Sequence, residues 1–313
     1  MSSLALLTLI SDMLVRSTPL ILTGLAVAVA FQAGILNIGA EGQFLVGAAM
    51  STAVSLRLGP ELGSGVIPIA LLAGSIAGAF WAAIAAELRS RFHVLEVIST
   101  IMLNFIAVYF ISFLVRGPLQ EPAHIYPQTS SIISSARLPL ILPTMRLHAG
   151  FLVAIFAGAV GWWLLRNTAA GFRLRLTGAN PSAAFTAGLV NVERTARNAL
   201  LISGALAGLA GAIEVQGVTF ALYENISPGY GYTAIAVALL AGLNPLGVIV
   251  TGLVFGALET GASALQRDAN VPATIVSVVE ALIILAVLAT ERLRARGLFR
   301  RDISAVIQTA EAQ

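Results

Sequence analysis

Apolar stretches follow one another along nearly the whole chain, and no other feature limits its fold as strongly. They lie at 20–36, 44–56, 66–86, 97–115, 149–165, 198–221, 229–242, 246–265 and 273–290, with a tenth, shorter candidate at 4–15 that contains Asp12. At 1.5 Å per residue, a helix of about 20 residues crosses a hydrocarbon core of about 30 Å. The apolar residues are continuous rather than alternating, which is the pattern of spanning helices and not of barrel strands. Charged residues make up 11% of the 313, where a soluble domain carries about 25%. Too little polar surface is left to clothe a water-soluble fold. The expectation is an all-α integral membrane protein: a polytopic bundle of about ten transmembrane helices with short broken helices, in a single transmembrane domain covering 1–313.

Composition excludes several chemistries. There is no cysteine and no lysine; all 18 basic residues are arginine. A phosphate-binding P-loop needs a lysine on the β/γ-phosphates, so the chain is expected to carry no ATPase site of its own. His93, His124 and His148 lie in or beside loops and share no metal-ligand spacing, and there is no HExxH. No metal, cofactor or enzymatic activity is expected. The basic balance reports topology rather than a nucleic-acid partner. Nor do basic residues precede the first apolar ones, as they would in a secretory signal.

Arginine placement orients the chain. Arg89 and Arg91, then Arg166, Arg173, Arg175, Arg194 and Arg197, then Arg292, Arg294, Arg296, Arg300 and Arg301 fall on one side if the helices alternate. That side is read as cytoplasmic, with the C-terminal tail 291–313; the N-terminus joins it if 4–15 spans. Trp81, Trp162 and Trp163 fall near the same ends. The outer loop 117–148 holds Pro118, Pro122, Pro127, Pro139 and Pro143, too many for a long helix. In the inner loop 167–197, Asn180 suits an N-cap, Pro181 a first helical residue and Gly188 a left-handed stop. Together they predict a two-turn helix at 181–187, outside the membrane. Two turns are unstable alone, so this helix must pack on its own bundle or on a partner. Gly74/Gly78, Gly204/Gly208 and Gly252/Gly256 are spaced to let helices approach closely.

Polar residues inside the apolar stretches are the candidates for function. "GILNIGAEGQFLVGA" (34–48) sets Asn37, Glu41 and Gln43 within seven residues, punctuated by Gly34, Gly39 and Gly42. Glu41 either caps the helix that follows or lines a cavity. Glu214, Glu259 and Glu280 lie in or beside spans, and no arginine is expected at their depth. Asn104 is either interhelical glue or a cavity donor. "AVAFQAG" (28–34) is echoed by "AVALLAG" (236–242), and each precedes an asparagine and a glycine. Gly39 and Gly42 in one place, Asn244 and Pro245 in the other, predict interrupted helices. Paired interruptions of this kind mark transporter binding sites.

Four blocks carry a family resemblance. "GILNIGAEGQFLVGA", "EVISTIMLNFIAVYF" (96–110), "GANPSAAFTAGLVNVERTA" (178–196) and "SPGYGYTAIAVALLAGLNPLGVIVTGLVFGALETGA" (227–262) resemble the permease subunits of ABC importers for branched-chain amino acids, ribose-like sugars and nucleosides. The nucleoside-type members are the most similar. The resemblance implies a second permease subunit (hetero- or homodimer), a cytoplasmic ABC ATPase, an extracytoplasmic substrate-binding lipoprotein and a place in the cell membrane. It implies that Asn180, Pro181, Ser182, Ala183, Ala184, Phe185 and Gly188 form a cytoplasmic coupling helix that docks on the ATPase. A nucleoside offers base edges to amides, hydroxyls to carboxylates and an aromatic face to rings. The available set for such a substrate path is Asn37, Glu41, Gln43, Phe44, Asn104, Phe105, Glu214 and Gln216. A ribose-like sugar or branched-chain amino acid cargo stays open as an alternative. So does an ion-coupled transporter acting alone, with its acids relaying protons, although that leaves the two-turn helix without a purpose.

Overall fold

In the computed structural model, residues 3–142, 145–186, 188, 190–269, 278, 281–282 and 285–286 are described. Ten helices follow in chain order among them: α1 (Ser3–Gln32), α2 (Ala40–Leu62), α3 (Val66–Phe92), α4 (Glu96–Arg116), α5 (Gly150–Asn167), α6 (Ala169–Ala179), α7 (Pro181–Thr186), α8 (Val192–Glu214), α9 (Tyr230–Leu240) and α10 (Pro245–Ala269). The chain divides into two units, 1–260 and 261–313. In the second, 261–269 ends α10 and residues 278, 281–282 and 285–286 are helical. All that follows concerns the first.

Six helical stretches among the described residues are long and apolar enough to cross a bilayer, where the sequence pattern suggests about ten: Leu7–Gln32, Ala40–Phe92, Glu96–Arg116, Gly150–Asn167, Val192–Thr219 and Pro245–Gln266. The difference has definite sources. The candidates at 4–15 and 20–36 are one helix, α1. Those at 44–56 and 66–86 are joined by a helical turn at Gly63–Gly65 into one stretch of 53 residues, which folds back on itself as α2 and α3. The helix at 229–242 has 11 residues, about 16 Å, too short to cross. The candidate at 273–290, with Glu280, lies largely outside the described residues, and Glu280 itself lies outside them.

Continuity of α1 changes the topology. Arg16 and Pro19 suggest a loop, yet the helix runs through both. Pro19 has no N–H to give to the preceding turn, and the hydroxyls around it bond to backbone carbonyls instead of seeking other partners. Ser17 donates to Met13 O (2.7 Å), Thr18 to Leu14 O (3.0 Å) and Thr23 to Pro19 O (2.6 Å). In α1, 83% of the apolar window is buried, and in α8 67%, against 22–39% in the other spans. With α2, whose residues Ala40–Ala49 are all buried, these two helices are the centre, and the rest are mostly periphery. The C-terminal end of α1 lies beside the arginine-rich segment, where Gly34 meets Gly178 of α6. Its N-terminal end therefore lies at the opposite end of the bundle, so 4–15 is no separate span that would bring the N-terminus to the arginine-rich side.

The glycine pairs are packing seams, as their spacing suggests. A Cβ on Gly78 would lie 2.7 Å from Gly208 Cα, and one on Gly74 would lie 2.7 Å from Ala212 Cβ. Across the other seam, a Cβ on Gly252 would lie 2.5 Å from Ile21 Cγ1, and one on Gly256 would lie 2.9 Å from Met13 O. Lipid tails are as apolar as the side chains, so helices associate here through close backbone contact rather than through hydrophobic burial. Gly208→Val is expected to lower stability by about 3 kcal/mol or more, since overpacked sites cost about 1–3 kcal/mol and here backbone must move. Thermal unfolding of the detergent-purified protein checks it; an unchanged midpoint would contradict the seam.

Candidate substrate path and coupling segment

The two predicted interruptions are built alike. α1 stops on Gly34 (φ 76°), with Gly34 N donating to Phe31 O and Ile35 N to Ala30 O, both 3.0 Å. α9 stops on Gly242 (φ 57°), with Gly242 N donating to Leu239 O and Leu243 N to Ala238 O, both 2.9 Å. The sequence echo is thus two copies of one glycine-terminated helix stop. Gln32 Nε2 donates to Leu243 O at 2.5 Å and ties the two stops together. Asn244 Oδ1 then accepts from Leu246 N (3.1 Å), and Pro245 opens α10.

Between α1 and α2 the backbone is held by amides. Asn37 Nδ2 donates to Gln43 Oε1 (3.0 Å) and Ser203 Oγ (2.8 Å), while Asn37 Oδ1 accepts from Gly39 N (2.9 Å) and Gln43 Nε2 (3.2 Å). Asn104 Oδ1 accepts from Gly42 N (2.8 Å), and its Nδ2 donates to Ile38 O (2.9 Å) and the Tyr232 hydroxyl (3.3 Å). Asn104 therefore fastens α4 to the break. Glu41 lies in the first turn of α2, yet its Oε2 accepts from Gly231 N at 2.7 Å, and Ser227 also bonds to it. The carboxylate thus stands at the positive ends of two helices, α2 and α9, where the sequence suggests only the first. Phe44 is buried against Tyr230, ring centroids 5.8 Å apart. Phe105 is not brought into this group: it is 54% exposed on the outer face of α4.

The remaining two path candidates sit at the far end of α8. Glu214 closes that helix, and a π-helical turn, Val215–Thr219, follows it. Gln216 Nε2 donates to Ser55 Oγ of α2 (3.3 Å). The outer loop is laid along this turn: Leu138 N donates to Gln216 O (2.9 Å), Ile132 N to Phe220 O (2.8 Å) and Thr129 N to Leu222 O (2.9 Å), and the Arg137 guanidinium covers the Phe220 ring at 4.3 Å. His148, at the loop's end, is fully buried, and its pKa is pushed down to about 4 by burial and by Arg146, so it is neutral near pH 7. Arg16 was invisible to sequence reasoning, because a break was expected there. It lies within α1, and its Nη1 is 3.8 Å from Glu259 Oε2 of α10, so one acid of the apolar stretches does have a basic partner at its own depth.

At the arginine-rich end the two-turn helix forms with the caps its sequence suggests. Asn180 Oδ1 accepts from Ala183 N (3.0 Å), Pro181 is the first helical residue, and Gly188 has φ 66°. α7 packs on α6 and α8. Ala184 is fully buried on that inner side, whereas Phe185 is 75% exposed. The sequence shows no sign of α6, whose first turn is capped by Thr168 Oγ1 accepting from Gly171 N (3.1 Å). A cavity of about 270 Å³ opens at the same end, between Ile35, Arg89, His93, Glu96, Glu193 and Arg197. The Arg89–Glu96 pair (3.2 Å) lies on its wall.

Broken helices inside a polytopic bundle, with a folded helical stub outside it, define a membrane permease. The family described as "Branched-chain amino acid transport system / permease component" matches residues 9–288, and the chain belongs to it. Three relatives are similar along most of their length. The guanosine ABC transporter permease protein NupP of Bacillus subtilis is 38% identical over 284 residues, covering 88% of this chain and 80% of that protein. The glucose ABC transporter permease protein TsgB13 of Haloferax volcanii is 36% identical over 293 residues, covering 90% and 76%. The nucleoside ABC transporter permease protein NupB of Lactococcus lactis is 34% identical over 286 residues, covering 88% and 78%. The chain is a multi-pass membrane component of an ABC transport system.

Two outcomes test the site's construction. Asn104→Ala strands the Gly42 N–H and the Ile38 carbonyl in a buried junction, and each unmet group costs about 1–3 kcal/mol. Thermal unfolding of the purified variant is expected to show a loss of that order or more. At the opposite end of the bundle, Arg116 and Ser112 donate to Glu224 and hold its carboxyl down at about 2, from 4.5. A depressed carboxylate pKa stabilises above 4.5 and loses its effect as pH falls towards 2. The amide-exchange protection factor over 220–229, corrected for the intrinsic rate at each pH, is therefore expected to be unchanged from pH 8 to 6 and to fall below about 4.5.

Proposed function

We propose that this ABC permease imports nucleosides across the cell membrane, as one half of a permease pair. The carrying observation is the family match over 9–288, joined to relatives named for guanosine and for nucleosides. Glucose, the cargo in a third relative's name, shares adjacent ring hydroxyls with a ribonucleoside, and a sugar is the second reading. Cargo would come from an extracytoplasmic substrate-binding lipoprotein. It would pass the α1–α2 and α9–α10 breaks, with Glu41, Phe44, Glu214 and Gln216 lining its way. The amides of Asn37, Gln43 and Asn104 would hold the breaks in shape. The 270 Å³ cavity beside Ile35 would be the inner mouth.

The arginine-rich end faces the cytoplasm in this reading, and the tail 291–313 with it. A separate ABC ATPase would grip α7 there. Ala184 faces inward, so Phe185 is the side chain offered to the ATPase. Movement of α7 would reach the breaks through α6, because Gly178 of α6 packs against Gln32 and Gly34 at the end of α1.

Reconstitution with the ATPase, partner permease and binding protein tests the reading. ATP-dependent uptake of labelled guanosine is expected; uptake of glucose alone would favour the second reading. Accumulation by the single purified chain, abolished by a proton ionophore, would defeat both. Phe185→Glu is expected to lower uptake at least tenfold and to weaken co-purification of the ATPase, while the permease keeps its thermal midpoint. Unchanged uptake would remove α7 from coupling.

A further inference from the structure

Four side chains lie within electrostatic reach of one another in the half of the bundle away from the arginine-rich end, and neither the helix breaks nor the coupling segment uses them as a group. Arg16 of α1 and Glu259 of α10 face one another at 3.8 Å. Counted from Gln32 and Pro245, they lie about 24 and 21 Å along their helices from that end. The charges of both act on Glu214, at the end of α8. Those three charges also act on Tyr230, at the head of α9. Glu214 and Tyr230 are each 5% exposed. Neither the Glu214 carboxyl nor the Tyr230 hydroxyl makes a hydrogen bond among the described residues.

Stability alone does not account for this arrangement. The Arg16 side chain is 38% and the Glu259 side chain 13% exposed, and so open an ion pair adds little stability. A second carboxyl without a hydrogen-bond partner adds only desolvation cost. Ionisable groups at this depth ordinarily serve the cargo of a membrane protein. The π-turn directly after Glu214 agrees, since such turns gather at functional sites. The groups present also match one chemistry. Carboxylates accept from hydroxyls, a guanidinium donates to hydroxyl oxygens, and the Tyr230 and Phe44 rings supply flat apolar faces.

We infer that Glu214, Glu259, Arg16 and Tyr230 form a site that receives adjacent ring hydroxyls of the cargo, so that the permease reads the sugar and not the base. The inference rests on the nucleoside-or-sugar reading above. It adds Arg16, Glu259 and Tyr230 to the path and gives Glu214 its role.

The test uses the complete reconstituted transporter and compares saturating guanosine with saturating 2′,3′-dideoxyguanosine. Glu214→Gln is expected to lower guanosine uptake about fivefold, the loss of one hydrogen bond. Dideoxyguanosine uptake is expected to change less than twofold. Glu259→Gln breaks the Arg16 pair; if that variant fails to reach the membrane, Glu214→Gln carries the test alone, because its carboxyl supports no hydrogen bond. Equal losses on both nucleosides, or no loss on either, in a transporter that takes up guanosine would overturn the inference and leave the cargo reading intact. A wild-type transporter that takes up glucose and no nucleoside would move the same comparison to glucose and 2-deoxyglucose. One that takes up neither would end both the cargo reading and the inference.

Discussion

A bilayer offers no water to a broken helix, and this bundle is arranged around that fact. Where α1 gives way to α2, backbone around Asn37 and Gly39 loses its helical partners in the buried interior, whereas Gly242 and Asn244, between α9 and α10, are exposed at the arginine-rich end. Each lost bond is replaced from within. Glycine-terminated stops close α1 and α9. Asn37 and Gln43 pair across the first break, Asn104 reaches in from α4, and Glu41 bonds to the head of α9. Remove these side chains and irregular backbone at this depth would have no satisfied conformation. The polar residues of "GILNIGAEGQFLVGA" are thus the condition for having a break at all.

Around this junction the bundle is tight at its centre and looser towards its outer faces. α1 and α8 are buried on most sides, and glycine seams bring α8 against α2 and α3 at backbone distance. Backbones that touch cannot slide by small amounts, so motion at one end is carried to the other as a shift of whole helices. The two ends differ. At one end, α6 leans on the α1 stop and carries α7 outward. At the other, the proline-rich loop is hydrogen-bonded along the π-turn after α8, and Arg116 clamps the segment that leads to α9. From α7 through α6 to α1 and α8 the packing is continuous.

Much of this was legible in the chain. Continuous apolar stretches define a helical membrane protein, because lipid admits few other structures. Asn180, Pro181 and Gly188 define a short capped helix, because caps and stops are local chemistry. Gly39 and Pro245 flank the breaks, whereas Gly42 lies inside α2, and the echo of "AVAFQAG" in "AVALLAG" becomes two similar helix stops. What misled was the reading of punctuation in isolation. Arg16 and Pro19 look like a loop, yet α1 runs through them, since Glu259 offers the arginine a partner and neighbouring hydroxyls bond to carbonyls. α6 was missed because a helix with few apolar neighbours in sequence draws its stability from what it packs on.

Sequence by itself determined class, family and the positions of the interruptions, for these depend on composition and on interactions within a few residues. Tertiary structure alone decided which polar groups are already partnered and which are left open. Asn37, Gln43 and Asn104 appear equivalent to Glu214 in the one-dimensional chain. Only the fold brings Ser203, Ile38 and Gly42 to the amides, and only the fold sets Arg16 and Glu259 within electrostatic reach of Glu214. Those contacts join residues tens to hundreds of positions apart, and no local propensity encodes which helix face will meet which.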